Sequence, residues 1–214
     1  AQFGYGLLWT LIPITIALIV VQEMCARMGV ITGKGLADLI REQYGVKVTF
    51  YVMVVLLLAN LANTIAEFAG VAAALEIFGV SKYLSIPAAA LFVWWLVVYG
   101  TYRRVENVFL VACVFYVAYL ISGFLARPAW GEVLTRMVVP DFQWRGDYLV
   151  MMVGVVGTTI APWMQFYLQS AVVEKGIRIA DYRYCRYDVI VGCVVAVVVA
   201  MFIMVACAAT LHQQ

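Results

Sequence analysis

Six long apolar runs limit what this chain can fold into more than any single residue does. They fall at about 5–28, 45–76, 84–101, 104–127, 147–170 and 187–211. A bilayer core takes about 20 apolar residues per helix, so each run is long enough to cross or nearly so. Composition supports that reading. Residues of the hydrophobic class make up 66% of the chain and charged residues 12%, against about half and about a quarter in soluble domains. The expectation is an all-α polytopic membrane protein, a single transmembrane domain over 1–214. No basic leader with a cleavage site opens the sequence. A start without Met, almost inside the first run, reads as a piece of a longer protein.

Orientation follows from lysine and arginine. The connections after the first, third and fifth runs carry Arg27, Lys34, Arg41, Lys47, Arg103, Arg104, Lys175, Arg178, Arg183 and Arg186. The alternate connections carry only Lys82, Arg127, Arg136 and Arg145. The positive-inside bias puts the richer set in the cytoplasm, and residue 1 and the end near His212 outside. The net charge of +2 points to no nucleic acid. The five cysteines form no CxxC pair and read as small buried apolar residues. There is no nucleophile–base set, no HExxH and no phosphate loop, so enzymatic function is not expected.

Punctuation divides the runs further. The segment 35–44 (GLADLIREQY) reads as a short amphipathic helix on the cytoplasmic surface, and 45–76 is long enough to tilt or protrude. Pro87 suits a helix start. The stretch 128–146, with Trp130, Pro140 and Trp144, reads as an ordered outside loop. The stretch 171–187 reads as a basic connector with a helical turn along the headgroups. Glu23 and Glu76, near run ends, read as solvated or paired with Arg27 and Lys82.

Two stretches carry the chemistry. In the second run Asn60, Asn63, Thr64 and Glu67 share one helical face. A carboxylate inside a membrane needs a cation, a donor or a proton, so Glu67 is either functional or a packing contact between helices. In the fifth run, 157–164 (GTTIAPWM) interrupts an apolar helix. Pro162 has no N–H for the carbonyl of Thr158, four residues back. An orphaned carbonyl at membrane depth survives only against protein or a wet cavity, and broken helices at the midplane hold ions in secondary transporters. The expected ligands are the Thr158 carbonyl, Thr159 and the Ala161 carbonyl. Gln165 is also in the metal set, and Asn63, Thr64, Glu67, Pro162 and Trp163 line or organise the cavity. An unbroken helix would instead favour a non-transporting sensor or structural bundle.

The stretches AQFGYGLLW at 1–9, QEMCARMGVITGKGLADLIREQYG at 22–45 and IAEFAGVAAALEIFG at 65–79 resemble the Nramp family of divalent metal transporters in order and spacing. The resemblance implies a LeuT-like fold of two inverted five-helix repeats plus extra helices. The runs here would be helices two to seven, with an Asp-Pro-Gly-Asn metal motif on a helix before residue 1. It implies a multi-pass plasma-membrane protein, a divalent ion as cargo, no resident cofactor, and partners limited to lipid and the remaining helices. The family's Met-Pro-His motif is matched here by Ala161, Pro162 and Trp163. A family Asp linked to the proton falls at Thr64, while the following Glu is kept as Glu67. The stretch MQFYLQS is one residue longer than the usual form. These departures resemble the prokaryotic Nramp-related magnesium transporters. Magnesium is hard, prefers oxygen and keeps several waters, whereas a thioether suits softer ions. The expectation is transport of hydrated Mg2+, also Mn2+, without proton coupling, at a site free of sulfur and imidazole. The alternative is a proton-coupled Mn2+ or Fe2+ importer with Glu67 as proton carrier.

Overall fold

The computed structural model describes residues 3–100, 108 and 110–211. Arg103, Arg104, His212 and the start of the 104–127 run lie outside the described residues. The elements are helical, with no strand among the described residues. They are α1 (Leu11–Thr32, entered through a 3-10 turn at Leu8–Thr10), α2 (Leu36–Glu76), α3 (Lys82–Tyr99), α4 (Tyr116–Leu125), α5 (Trp130–Val138), α6 (Gly146–Thr159), α7 (Pro162–Glu174) and α8 (Tyr182–Leu211), with a 3-10 turn at Ile179–Asp181 before α8. Five stretches are long and apolar enough to cross a membrane: Leu8–Thr32, Leu36–Glu76, Lys82–Tyr99, Gly146–Glu174 and Ile179–Thr210. The bent pair Leu110–Leu125 and Trp130–Val138 makes a sixth if counted as one crossing. This is an all-α polytopic membrane protein.

The chain divides into two compact units, Ala1–Thr49 with Tyr116–Gln214, and Phe50–Phe115. In the first unit α1 packs on α7 and α8, and α8 also packs on α4. The contact face carries Leu8 of the entering turn with Leu11, Leu18 and Ala26 of α1. It meets Val189, Cys193, Val197 and Val205 of α8 and Val172 of α7. Lipid is as apolar as these side chains, so close van der Waals packing rather than water exclusion holds such helices together. Gly29 shows how close: a Cβ there would sit 3.1 Å from both the Gln169 carbonyl oxygen and Val172 Cγ1. Gln169 is fully buried beside it and donates from Nε2 to the Lys34 carbonyl at 2.8 Å. That bond ties α7 to the turn after α1. The turn itself opens at Gly33 (φ 64), whose N–H donates to the Gly29 carbonyl, the αL way of ending a helix.

Near the start of α6 a buried polar knot fixes the other end of this unit. Tyr148 is fully buried. Its hydroxyl accepts from Trp9 Nε1 (3.0 Å), donates to the Asp141 carbonyl (2.8 Å) and has the Gly6 carbonyl at 3.1 Å. Arg136 of α5 pairs with Asp141 at 2.7 Å. The stretch 128–146 is thus not a plain loop. It contains α5, because Val133 finds a place in the core while Leu134 and Val138 stay exposed. The Tyr182 hydroxyl donates to the Glu23 carboxylate, which joins α1 to α8. The sequence reading had given Glu23 to solvent or to Arg27.

The second unit holds the rest of α2, and α3. α2 ends in a Schellman turn: Gly79 has φ 79, its N–H donates to the Glu76 carbonyl, and the Val80 N–H donates to the Leu75 carbonyl. α3 does not start at Pro87. Ser81 caps it, accepting from the Tyr83 N–H, and Pro87 lies inside the helix. A serine side chain can satisfy a first-turn donor directly, which is a stronger start signal than proline position alone. Among the cysteines, Cys25 and Cys193 are buried as expected, whereas Cys113 is exposed.

Candidate functional site

The fifth run is two helices. The last helical bond of α6 goes from the Ile160 N–H to the Val156 carbonyl at 2.9 Å. Ile160 then leaves the helical region (φ −111, ψ 62) and Ala161 is extended (φ −69, ψ 135). The residue before a proline is pushed out of the α region by the ring, and proline is well suited to the first position of the next helix. Pro162 accordingly opens α7. The sequence thus dictates the break twice, once on each side of the Ala161–Pro162 bond.

The break frees main-chain oxygens at the C-terminal end of α6. The Thr158 carbonyl would need an N–H from residue 162, and proline has none. Among the described residues no backbone N–H outside the helices' own ladders donates to the Thr158 or Thr159 carbonyl. A helix C-terminus also carries partial negative charge, which favours a cation. The two threonine hydroxyls add to this acceptor set. Thr158 Oγ1 donates back to the Gly154 carbonyl (2.9 Å), with the Val155 carbonyl at 3.2 Å, and Thr159 Oγ1 donates to the Val155 carbonyl (2.8 Å). With the protons used this way, the hydroxyl lone pairs are left to accept or ligate.

Both threonines line a cavity of about 370 Å³ among α1, α6, α7 and α8. Room for it comes from Gly192, Ala196 and Ala200, which fall at i, i+4 and i+8 on α8 and keep that wall low. α1 contributes Leu18 and Gln22, α7 contributes Met164, and Cys193 joins from α8. Gln22 Nε2 reaches Met164 Sδ at 3.9 Å, a weak donor contact to sulfur.

The other residues singled out from sequence divide into two sets. Ala161, Pro162, Trp163 and Gln165 form the break and the first turn of α7 but are not among the residues lining this cavity. The Ala161 carbonyl is already engaged. It accepts from the Met164 N–H at 3.1 Å, and the Gln165 amide nitrogen, when turned toward it, lies at 2.6 Å from it and at 2.7 Å from the Pro162 carbonyl. Gln165 therefore bonds back onto the main-chain carbonyls at the start of α7. Trp163 stacks edge-on against Tyr167. Asn63, Thr64 and Glu67 belong to the second unit. There Asn63 Nδ2 donates to Glu67 Oε1 at 2.9 Å, Thr64 Oγ1 donates to the Asn60 carbonyl, and Glu67 is exposed.

Sequence reasoning missed Gln22, Met164 and Cys193. The expectation of a sulfur-free site fails at this cavity, since a thioether and a thiol both line it. Gln22 was legible as a polar side chain in an apolar run. Met164 and Cys193 carried no signal, because both read as ordinary apolar residues of membrane helices. Among the described residues no group of three or more His, Cys, Asp or Glu side chains gathers. The donors at hand are neutral oxygens and sulfur.

The described residues thus form a bundle of apolar helices in which one crossing is broken beside a cavity. The chain's family follows from comparison. The whole of residues 1–214 matches the Nramp model, described as natural resistance-associated macrophage protein-like, and the chain belongs to that family. It is 29% identical over 99% of its length to a protein of Klebsiella pneumoniae subsp. pneumoniae named divalent metal cation transporter MntH, covering 52% of that relative. A Deinococcus radiodurans protein of the same name is 30% identical over 99% of this chain and 50% of the relative. One from Erwinia tasmaniensis is 29% identical over 99% of this chain and 53% of the relative. The chain thus spans about half the length of these relatives.

Proposed function

We propose that this chain forms part of a divalent metal transporter of a prokaryotic plasma membrane. Its cargo is hydrated Mg2+, with Mn2+ also accepted, and movement of the metal is not obligatorily coupled to protons. The observation that carries the reading is the break at 160–161, beside which Thr158 and Thr159 line a cavity of about 370 Å³. A water's share of the liquid is about 30 Å³, so that volume takes an ion together with several of its waters. Oxygen donors on an ion that keeps its waters suit magnesium. Ala161 and Trp163 bring neither a soft donor nor a titratable group to the break. Thr64, on the face of Glu67, is not titratable either.

Full-length protein in liposomes gives the test. Mg2+ uptake with no matching acidification of the lumen is the expected result, and acidification locked to metal entry overturns the uncoupled reading. Ala161→Met adds a soft donor at the break and is expected to strengthen Cd2+ binding while weakening Mg2+ uptake.

One observation favours a second reading, a proton-coupled importer of Mn2+ or Fe2+: Met164 puts a thioether at the cavity, and soft donors suit such ions better than magnesium. Glu67 is then the proton carrier. Under this reading Glu67→Gln abolishes metal-driven acidification, whereas under the first it leaves no acidification to lose.

A further inference from the structure

The short helix α5 has two unlike sides. Trp130, Val133, Leu134, Met137 and Val138 fall at i, i+3, i+4, i+7 and i+8, which is one side of a helix, and Glu132, Thr135 and Arg136 fall on the other. The polar side is already used. Glu132 and Arg136 line a cavity of about 230 Å³ with Tyr5 and Asp141, and Arg136 pairs with Asp141. The apolar side is only half used. Val133 is buried, and Trp130 packs on Phe124 and Phe202. Leu134 and Val138 stay 61% and 72% exposed. Just beyond the helix Val139, Phe142 and Trp144 are exposed too, Trp144 at 86%.

Two further observations say what covers this strip. The stretch Leu110–Leu125 and α5 meet at 112°, so α5 runs across the direction of the crossing it follows. A helix laid across a crossing keeps its whole apolar side at one depth, as helices lying in a membrane interface do. The strip also continues the exposed apolar side of α4, where Ile121, Phe124 and Leu125 are open. Tryptophan, with a large apolar ring and one N–H, favours the headgroup level. We infer that α5 lies in the membrane interface and that the partner of its open side is the lipid surface. Leu134 and Val138 are seated about 5–10 Å into the boundary between headgroups and acyl chains, with Trp144 among the headgroups. The seat fixes more than α5. Arg136 holds Asp141, and the Asp141 carbonyl accepts from the Tyr148 hydroxyl at the start of α6. The lipid surface thus sets the depth at which the broken crossing begins. The inference needs a membrane but not the proposed cargo, so neither falls with the other.

The experiment uses full-length protein in liposomes, in a background freed of accessible cysteines that keeps the parent's thermal unfolding midpoint. A single bimane-labelled cysteine is placed by Leu134→Cys, Val138→Cys or Glu132→Cys. The first two positions are exposed, so either label is carried without disturbing the core. Each label is quenched by aqueous iodide, by lipid with a doxyl group near the top of the acyl chain, and by lipid with the doxyl near its end. At 134 and 138 the shallow doxyl lipid is expected to quench at least about twofold more than either the deep one or iodide, as an interfacial seat requires. At 132 iodide is expected to quench most. Iodide quenching as strong at 134 and 138 as at 132 puts the strip in water and overturns the inference. Stronger quenching there by the deep lipid overturns it as well, because α5 is then part of a crossing. Shielding of both positions from all three quenchers also overturns it, because another segment of the protein then covers the strip.

Discussion

Among the described residues, α2 and the α6–α7 stretch are interrupted in different ways. α2 breaks at Gly45 (φ 80, ψ 174), a conformation open to glycine and strained for any residue with a Cβ. The chain around it is open, with nothing within 4 Å of where a Cβ would be. The α6–α7 break needs no glycine conformation at all. Ile160 and Ala161 take backbone angles that ordinary residues adopt, and proline restricts Ala161 to the extended region. The first break separates the short segment 36–44 from the long apolar remainder of α2. The second opens a crossing in its middle, beside a cavity. A glycine break supplies a change of direction. A proline break supplies orphaned carbonyls as well, because it removes the donor that would have satisfied one of them.

The largest effect is expected at the proline. Pro162→Ala returns an N–H to the reach of the Thr158 carbonyl and lets α6 run toward α7. Metal uptake in liposomes should drop by about tenfold or more, equivalent to about 1.4 kcal/mol in the barrier. Retained uptake would show that the cavity does not depend on the break. Next comes the frame around it. A Cβ on Gly123 of α4 would lie 2.5 Å from Phe202 Cδ1. Phe202 is itself held by Phe124 and Trp130, with centroids at 5.2 and 6.1 Å, so it has little room to yield. Gly123→Ala should cost about 2–3 kcal/mol, the upper part of the range for overpacking, read as a lowered midpoint of thermal unfolding in detergent.

Gly45→Ala tests the other break. The strain at φ 80 is expected to cost about 1–2 kcal/mol, on the same thermal assay, while metal binding at the cavity stays within error. A loss of metal binding there would mean that the two breaks are not independent. The smallest effect is expected in the second unit. Asn63→Ala removes a hydrogen bond to an exposed Glu67, and exposed substitutions of this kind change stability by less than about 0.5 kcal/mol. A larger loss of stability would identify Glu67 as a packing contact.

Much of the architecture was legible before any coordinates. Hydrophobic run length announced the crossings, and the Ala161–Pro162 pair announced where α6 must stop. Thr158 and Thr159 were legible as the residues just before that break, and both line the cavity. The remainder was not. Ala161 looked like a ligand from its place in the chain, but its carbonyl turns out to be satisfied by Met164 and Gln165 from the following turn. The helix in 128–146 escaped notice because its stability comes from Val133 reaching a core built by other segments.

By itself the sequence determined the long apolar helices, the break at Pro162 and the stranded Thr158 carbonyl, since apolar run length and the missing proline N–H are local properties of the covalent chain. Only the tertiary structure decided what faces that carbonyl's neighbourhood. Gln22, Met164 and Cys193 lie far from Thr158 or on other helices, and nothing in their local sequence marks them. Their meeting depends on how α1, α7 and α8 pack, through Gly29 against α7 and the leucine and valine faces of α1 and α8. Helix packing is set by the fit of whole surfaces, which no single stretch of sequence contains.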